Sequence, residues 1–193
     1  MIQKRMEKLT QKIAEQLKEI DRKSIDQFID SIINAKRIFI GGAGRSGLVA
    51  KAFGMRLMHL GFTVYVLGEV ITPALSKDDL LILVSGSGRT ISVVVAAKVA
   101  KEKGVKVVSI TSDPNSEIGK LSDVVVQIKG RRPEEAKRDY EARQLSGEHE
   151  PLTPLGTLFE LSTMIFLDSI IDELMLRYKK SEEELKKLHA DLG

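Results

Sequence analysis

Apolar residues recur at Ile2, Met6, Leu9, Ile13, Leu17 and Ile20, spaced by three or four, which predicts a helix with one apolar stripe. The stripe covers under three heptads, too little for a stable isolated helix, so it must pack on something. A sibling subunit is the preferred partner and the chain's own core the alternative. A second helix is expected from about Ser24 to Ile33, with Ser24 as its N-cap. The pattern then changes to short apolar runs, read as strands at Arg37–Ile40, Thr63–Leu67, Leu80–Val84, Val105–Ile110 and Val124–Ile128. Helices are expected between them at Ser46–Leu60, Thr90–Lys103 and, briefly, Ser116–Leu121. The strands are mostly apolar on both faces, as when helices cover both sides of a parallel sheet. This alternation predicts an α/β three-layer sandwich.

Beyond the last strand the pattern breaks. Residues 130–152 are polar and too long for an idle connection, so a functional or partly helical segment is expected there. A long helix from about Pro154 to Tyr178 and a charged C-terminal helix follow. No internal boundary is evident. The chain reads as one domain, with N-terminal helices at about 1–34, an α/β core at about 36–130, and the polar segment and C-terminal helices at 131–193.

Composition narrows the function classes. The 193 residues suffice for a full core. A net charge of +3 and the lack of a long basic block argue against nucleic acid. The stretch KGRRPEEAKRDYEAR alternates in sign and reads as a solvated segment. There is no cysteine for a thiolate metal site, and the histidines at 59, 149 and 189 lack metal-ligand spacing. No metal and no cofactor are therefore expected. No apolar run approaches the ~20 residues needed to span a bilayer, and the N-terminus lacks an apolar targeting stretch. A cytoplasmic protein without a membrane partner is expected.

Two glycine-rich turns carry the candidate chemistry: GGAGRSG at 41–47 and VSGSGRTI at 84–91, each after an apolar run. Both are expected at the carboxyl ends of strands, where open α/β sheets bind ligands. In the second turn, Gly86 and Gly88 let the backbone approach a ligand, and Ser85, Ser87 and Thr90 offer hydroxyls. The helix beginning near Thr90 directs its first N–H groups at the loop, forming an anion site. Three hydroxyls and an adjacent arginine favour phosphate over a bare tight turn.

The first turn holds the pattern G-x-G-x-x-G at Gly42, Gly44 and Gly47, with Glu69 where a dinucleotide-binding acid would hold a ribose. A nucleotide reading is respectable on that motif alone. It leaves the hydroxyl-rich turn unused, and the chain is short for an added substrate domain. A phosphate at the second turn, with a sugar reaching toward Gly44, Arg45 and Ser46, uses both.

These residues resemble the sugar isomerase (SIS) domain family: GAGRSG follows a first strand, SGSGRT a third, and the similarity extends over nearly the whole chain. Within that family RLMHLGF at 56–62, YEARQL at 140–145 and PLGTLFE at 154–160 resemble its 6-phospho-3-hexuloisomerase branch. The resemblance implies a five-stranded parallel, flavodoxin-like sheet and a sugar phosphate substrate. It also implies a homo-tetramer with sites at subunit interfaces. The implied reaction interconverts 3-hexulose 6-phosphate and fructose 6-phosphate, serving formaldehyde fixation or, in reverse, pentose phosphate supply. Other SIS isomerases acting on arabinose 5-phosphate or heptose phosphate, and non-catalytic sugar-phosphate-binding modules, remain alternatives. No spare segment is large enough for the DNA-binding domain such regulatory modules usually add.

Moving a ketone between C2 and C3 requires a proton removed beside a carbonyl and returned one carbon away, through a cis-enediol. A carboxylate suffices as base. Glu160, placed about two turns into the long helix and flanked by Phe159 and Leu161, is the candidate; partial desolvation there would make it a better base. The helix pattern equally allows a glutamate on a solvent-facing stripe with Thr157 and Thr163, and the PLGTLFE match selects the catalytic role. His59 reads by pattern as a packed or capping residue near a helix C-terminus. The resemblance implies that a histidine here crosses a subunit interface and assists proton transfer at sugar oxygens, which ring opening of fructose 6-phosphate requires. Arg143 and Gln144 are expected to fold over the sugar. His149 is a lesser candidate, and Arg89 is expected at solvent or an interface.

Overall fold

The computed structural model describes residues 1–130, 156–186 and 188. Five strands form one parallel sheet: β1 (Ile38–Gly42), β2 (Val64–Val66), β3 (Leu80–Val84), β4 (Lys106–Thr111) and β5 (Val124–Gln127), in the order β2-β1-β3-β4-β5. Ile38 pairs in register with Val64 on one side and Leu80 on the other, and Leu80 with Lys106. The helices are α1 (Ile2–Leu17), α2 (Arg22–Ile33), α3 (Gly44–His59), α4 (Ile91–Glu102), α5 (Glu117–Leu121), α6 (Thr157–Tyr178) and α7 (Glu182–Lys186).

Strand residues alternate between two cores, as the two-residue period requires. Ile38, Ile40, Leu80, Ile82, Val108, Ile110 and Val126 pack with residues of α2, α3 and α6. Phe39, Leu81, Leu83 and Val107 pack with α4 and with Ile118 of α5. Both faces are thus buried, and the expected sandwich is present.

Element boundaries differ from the sequence expectation in informative ways. Asp21, not Ser24, is the N-cap of α2: its carboxylate accepts from Ser24 N at 2.8 Å, while the Ser24 hydroxyl donates to the Asp21 carbonyl at 2.7 Å. Ser24 therefore completes the cap from inside the first turn. The α1 stripe divides between its two expected partners. Ile13 and Gln16 are buried in the chain itself, where α1 packs on α6 and the Gln16 amide donates to the buried Ser162 hydroxyl. Ile2 and Met6, by contrast, remain exposed.

The amino ends of the strands hold a structural clamp. The Arg37 guanidinium donates to both oxygens of Asp79, at 2.8 and 2.6 Å, and lies 5.3 Å from the Phe39 ring centre. Burial pushes the Asp79 carboxyl up, but hydrogen bonds from Arg37 and the Ser76 N–H, with Arg37's charge, hold it below its ordinary value. This pair ties the entries of β1 and β3 together, so their carboxyl ends are held side by side at the far edge.

Candidate active site

β1 and β3 are adjacent, yet the chain leaves them toward different sides of the sheet: α3 joins the core containing α6, and α4 the opposite core. Their carboxyl ends form the topological switch point, where such sheets open a crevice. A cavity of about 630 Å³ lies there. That is within the ~300–1,000 Å³ of small-molecule sites.

The turn after β3 supplies one wall. Gly88 has φ of 64°, and a Cβ there would overlap Ser116 Oγ, so the turn requires glycine. Gly88 N donates to Ser85 Oγ at 3.2 Å, and that oxygen lies 3.3 Å from Thr90 Oγ1. Ser87 Oγ accepts from Arg89 N at 3.3 Å and is exposed. Ser85, Gly86, Ser87 and Thr90 all line the cavity. Gly88 instead shapes the turn from behind.

The turn after β1 works differently. A Cβ on Gly42 would lie 2.8 Å from the Val84 carbonyl oxygen, and one on Gly47 would lie 2.7 Å from the Gly42 carbonyl oxygen. These two glycines of the G-x-G-x-x-G pattern permit close packing of α3 on β1 and β3. Helix α3 begins two residues earlier than expected, at Gly44 with φ of 55°, which places Arg45 and Ser46 in its first turn. Ser46 lines the cavity. Glu69, the acid of the nucleotide alternative, pairs with Lys51 at 2.7 Å and is absent from the cavity wall.

Helix α6 contributes the third wall. Glu160 lies in its first turn, not two turns in, because the helix starts at Thr157; Glu160 N donates to the Gly156 carbonyl at 3.0 Å. Its carboxylate lines the cavity, is 13% exposed, and forms an ion pair with the Nε of Arg45, which is 61% exposed. Phe159 is buried beneath, against Gly86 and Gly130; a Cβ on Gly130 would lie 2.5 Å from that of Phe159.

Ala43, Thr90 and Gly156, the N-caps of α3, α4 and α6, all border this one cavity. None of the three provides a side-chain cap, whereas Asp21 caps α2 and Ser116 caps α5, accepting from Gly119 N at 3.4 Å. Three helix N-termini without such caps present positive dipole ends to one space.

The structure therefore brings together Ser85, Gly86, Ser87, Thr90, Ser46, Arg45 and Glu160. It does not bring in His59, which is 4% exposed at the opposite end of α3. Fourteen residues separate His59 from Arg45, roughly 20 Å of helix at the usual rise. Arg143, Gln144 and His149 lie outside the described residues. Sequence reasoning missed Ser112 and Asp113, which line the cavity from the carboxyl end of β4. Their signal was the hydroxyl-rich SITSDPNS at 109–116, a third polar turn after a strand. Arg89, assigned to solvent or an interface, lines the cavity and pairs with Asp113 at 2.7 Å. Among the described residues no group of three or more acidic or histidine side chains could hold a metal ion, and no helix is long and apolar enough to cross a membrane.

Comparison with known proteins agrees with this geometry. An uncharacterized protein of Aeropyrum pernix is 47% identical over 193 residues, covering 98% of this chain and 91% of its own. The 3-hexulose-6-phosphate isomerase of Bacillus subtilis is 38% identical over 192 residues, covering 96% and 99%. A solved structure from Methanococcus jannaschii, for which a 3-hexulose-6-phosphate isomerase function was inferred, superposes with a TM-score of 0.74 at 40% identity, covering 89% and 87%. The SIS domain model matches residues 31–139, a span containing both glycine turns. With the parallel sheet, the switch-point cavity and these relatives in agreement, the chain belongs to the SIS domain family.

Proposed function

We propose that this chain is a sugar-phosphate isomerase interconverting D-arabino-3-hexulose 6-phosphate and D-fructose 6-phosphate. The observation that carries this reading is the convergence of three helix N-termini and the hydroxyls of Ser85, Ser87 and Thr90 on a cavity that also holds Glu160. Such an arrangement suits a phosphate at one end and proton transfer at the other. The likeness to 3-hexulose-6-phosphate isomerases over nearly the whole chain supports the choice of ketoses.

The phosphate sits at the turn after β3 and extends the sugar toward Ser46 and Glu160. Glu160 takes the proton from C2 of the 3-ketose as electrons move onto O3, giving the enediolate. It returns the proton to C3 as the O2 proton passes to O3 and the carbonyl forms at C2. Atoms balance without an external oxidant or reductant. Arg45 moves from its pair with Glu160 to the sugar oxygens, where it offsets the developing negative charge. Gly44 gives Arg45 this position at the helix start.

NMR of fructose 6-phosphate in D₂O with the purified protein tests the reaction. Deuterium at C3 with a new 3-ketose is expected; exchange at C1 with formation of an aldose would replace the proposed reaction with another.

His59 lies at the far end of α3 from its own chain's cavity, so a catalytic role for it requires a second subunit. We infer shared sites in a homo-oligomer, with a tetramer as the assembly, in the cytoplasm and serving formaldehyde fixation. Ile2 and Met6 on the uncovered half of α1 are available for a sibling subunit. Refolding a His59→Ala chain together with a Glu160→Gln chain tests this. Activity returns in part if the two groups come from different chains, and stays at the level of the parents if they do not.

A further inference from the structure

Arg89 and Asp113 line the cavity beside the phosphate turn, yet the isomerisation uses neither. Asp113 is held in place: its Oδ1 accepts from Asn115 N at 3.0 Å, and its own N–H donates to Thr111 Oγ1 at 3.3 Å. Arg89 is held lightly. Its Nη2 donates to Asp113 Oδ2 at 2.7 Å, its Nη1 lies 3.5 Å from the Ser87 carbonyl, and 57% of its side chain is exposed. A guanidinium on a long stem thus rests over the turn that holds Ser87, its charge answered by a fixed carboxylate.

We propose that Arg89 is a mobile phosphate ligand that Asp113 retains at the cavity rim while the site is empty. This rests on the reading of the turn after β3 as the phosphate site. When a phosphate monoester enters, Arg89 exchanges the carboxylate for phosphate oxygens. An exposed ion pair resists this exchange little. A phosphate accepts the planar guanidinium with two charge-assisted hydrogen bonds. Asp113 is 31% exposed, so solvent covers its carboxylate once Arg89 has left. The carboxylate then competes for Arg89 and draws it back when product leaves. The same feature selects among ligands: sugars without a phosphate leave the Arg89–Asp113 pair intact and gain nothing from it.

The sign of two substitutions tests the proposal. Binding of inorganic phosphate to the full chain is measured by calorimetry for the wild type, Arg89→Gln, Asp113→Asn and Ser87→Ala. Asparagine at 113 keeps the oxygen that accepts from Asn115 N but loses the charge that competes for Arg89. Lys98→Gln removes one positive charge from α4 away from the cavity and measures the long-range effect. Arg89→Gln is expected to weaken phosphate about tenfold, well beyond Lys98→Gln, and Asp113→Asn to tighten it about two- to threefold. The thermal midpoint of each variant identifies any general loss of fold. If Arg89→Gln matches Lys98→Gln, or if Arg89→Gln and Asp113→Asn both weaken phosphate, the pair is structural and the proposal is overturned. If Ser87→Ala alone loses phosphate, the site stands without Arg89. If the wild type binds none, the phosphate site itself is lost, and this inference with it.

Discussion

Gly44-Arg45-Ser46 and Gly88-Arg89-Thr90 follow β1 and β3, which are neighbours in the sheet. In both, the glycine has positive φ, 55° and 64°, and the arginine reaches a carboxylate on another element, Glu160 or Asp113. They differ in where the helix begins. Helix α3 starts at Gly44 itself, so its arginine and serine are helical side chains on a rigid element. Helix α4 starts after Thr90, so the second tripeptide belongs to a loop that lines the cavity with Ser85, Gly86, Ser87, Arg89 and Thr90. Arg45 pairs with a largely covered carboxylate, and Arg89 with one nearly a third exposed. Similar residues therefore serve two purposes. In the proposed reaction the rigid turn holds a charge beside the reacting carbons, and the loop turn surrounds the phosphate. Reaction geometry tolerates little displacement, which favours a helix. An anion is bound by many N–H and O–H donors, which a loop can aim together.

Removing the base makes the largest expected difference between the two ends. Glu160→Gln keeps the shape of the side chain but accepts no proton. Turnover should fall at least ~10²-fold, and exchange of the carbon-bound proton should fall with it. Binding of fructose 6-phosphate should survive because the loop turn is untouched. A loss of binding would merge the two ends into one, and retained exchange would move the base elsewhere.

At the loop turn the expected effect is on affinity. Ser87→Ala should weaken substrate binding by about 1.5–3 kcal/mol, the usual cost of a hydrogen bond to a charged group. Free phosphate should compete with substrate in the wild type. Thr90→Ala also disturbs Ser85, whose hydroxyl lies 3.3 Å from that of Thr90. Unchanged affinity in both variants would remove this turn from the site.

The smallest effect separates the two glycines. A Cβ on Gly44 would meet nothing within 4 Å, so Gly44→Ala should cost only the backbone preference, about 1–2 kcal/mol. A Cβ on Gly88 would overlap the Ser116 hydroxyl and approach Thr111 Oγ1 at 3.0 Å, so Gly88→Ala should cost more by at least ~1 kcal/mol. Thermal unfolding of both variants measures the difference. Equal losses would mean that the loop turn relaxes more easily than its packing implies.

The layered architecture follows from local rules that the sequence states openly. The buried runs LLILV and IFIGG cannot be satisfied on one face alone, and the segments between them have helical length and period. The glycine turns were equally legible, because a bend at a strand end and its hydroxyls lie within a few consecutive residues. Glu160 was legible through a motif, but its place in the first turn of α6 depended on where that helix begins. The division of the α1 stripe was hidden, since the same spacing describes Ile2, which stays exposed, and Ile13, which packs against the chain itself.

By itself the sequence determined the alternation of strands and helices, the two turns and the candidate residues for binding phosphate or moving a proton. Only the tertiary structure decided which of these share a cavity. Arg45 meets Glu160 across 115 positions, and Ser112 and Asp113 join the site because β4 lies beside β3. The starts of α3, α4 and α6, each without a side-chain cap, converge for the same reason. Strand order sets these meetings, and it comes from the packing of two cores against a shared sheet. A local pattern of apolar and polar residues specifies each surface to be buried, but leaves open which distant segment will cover it.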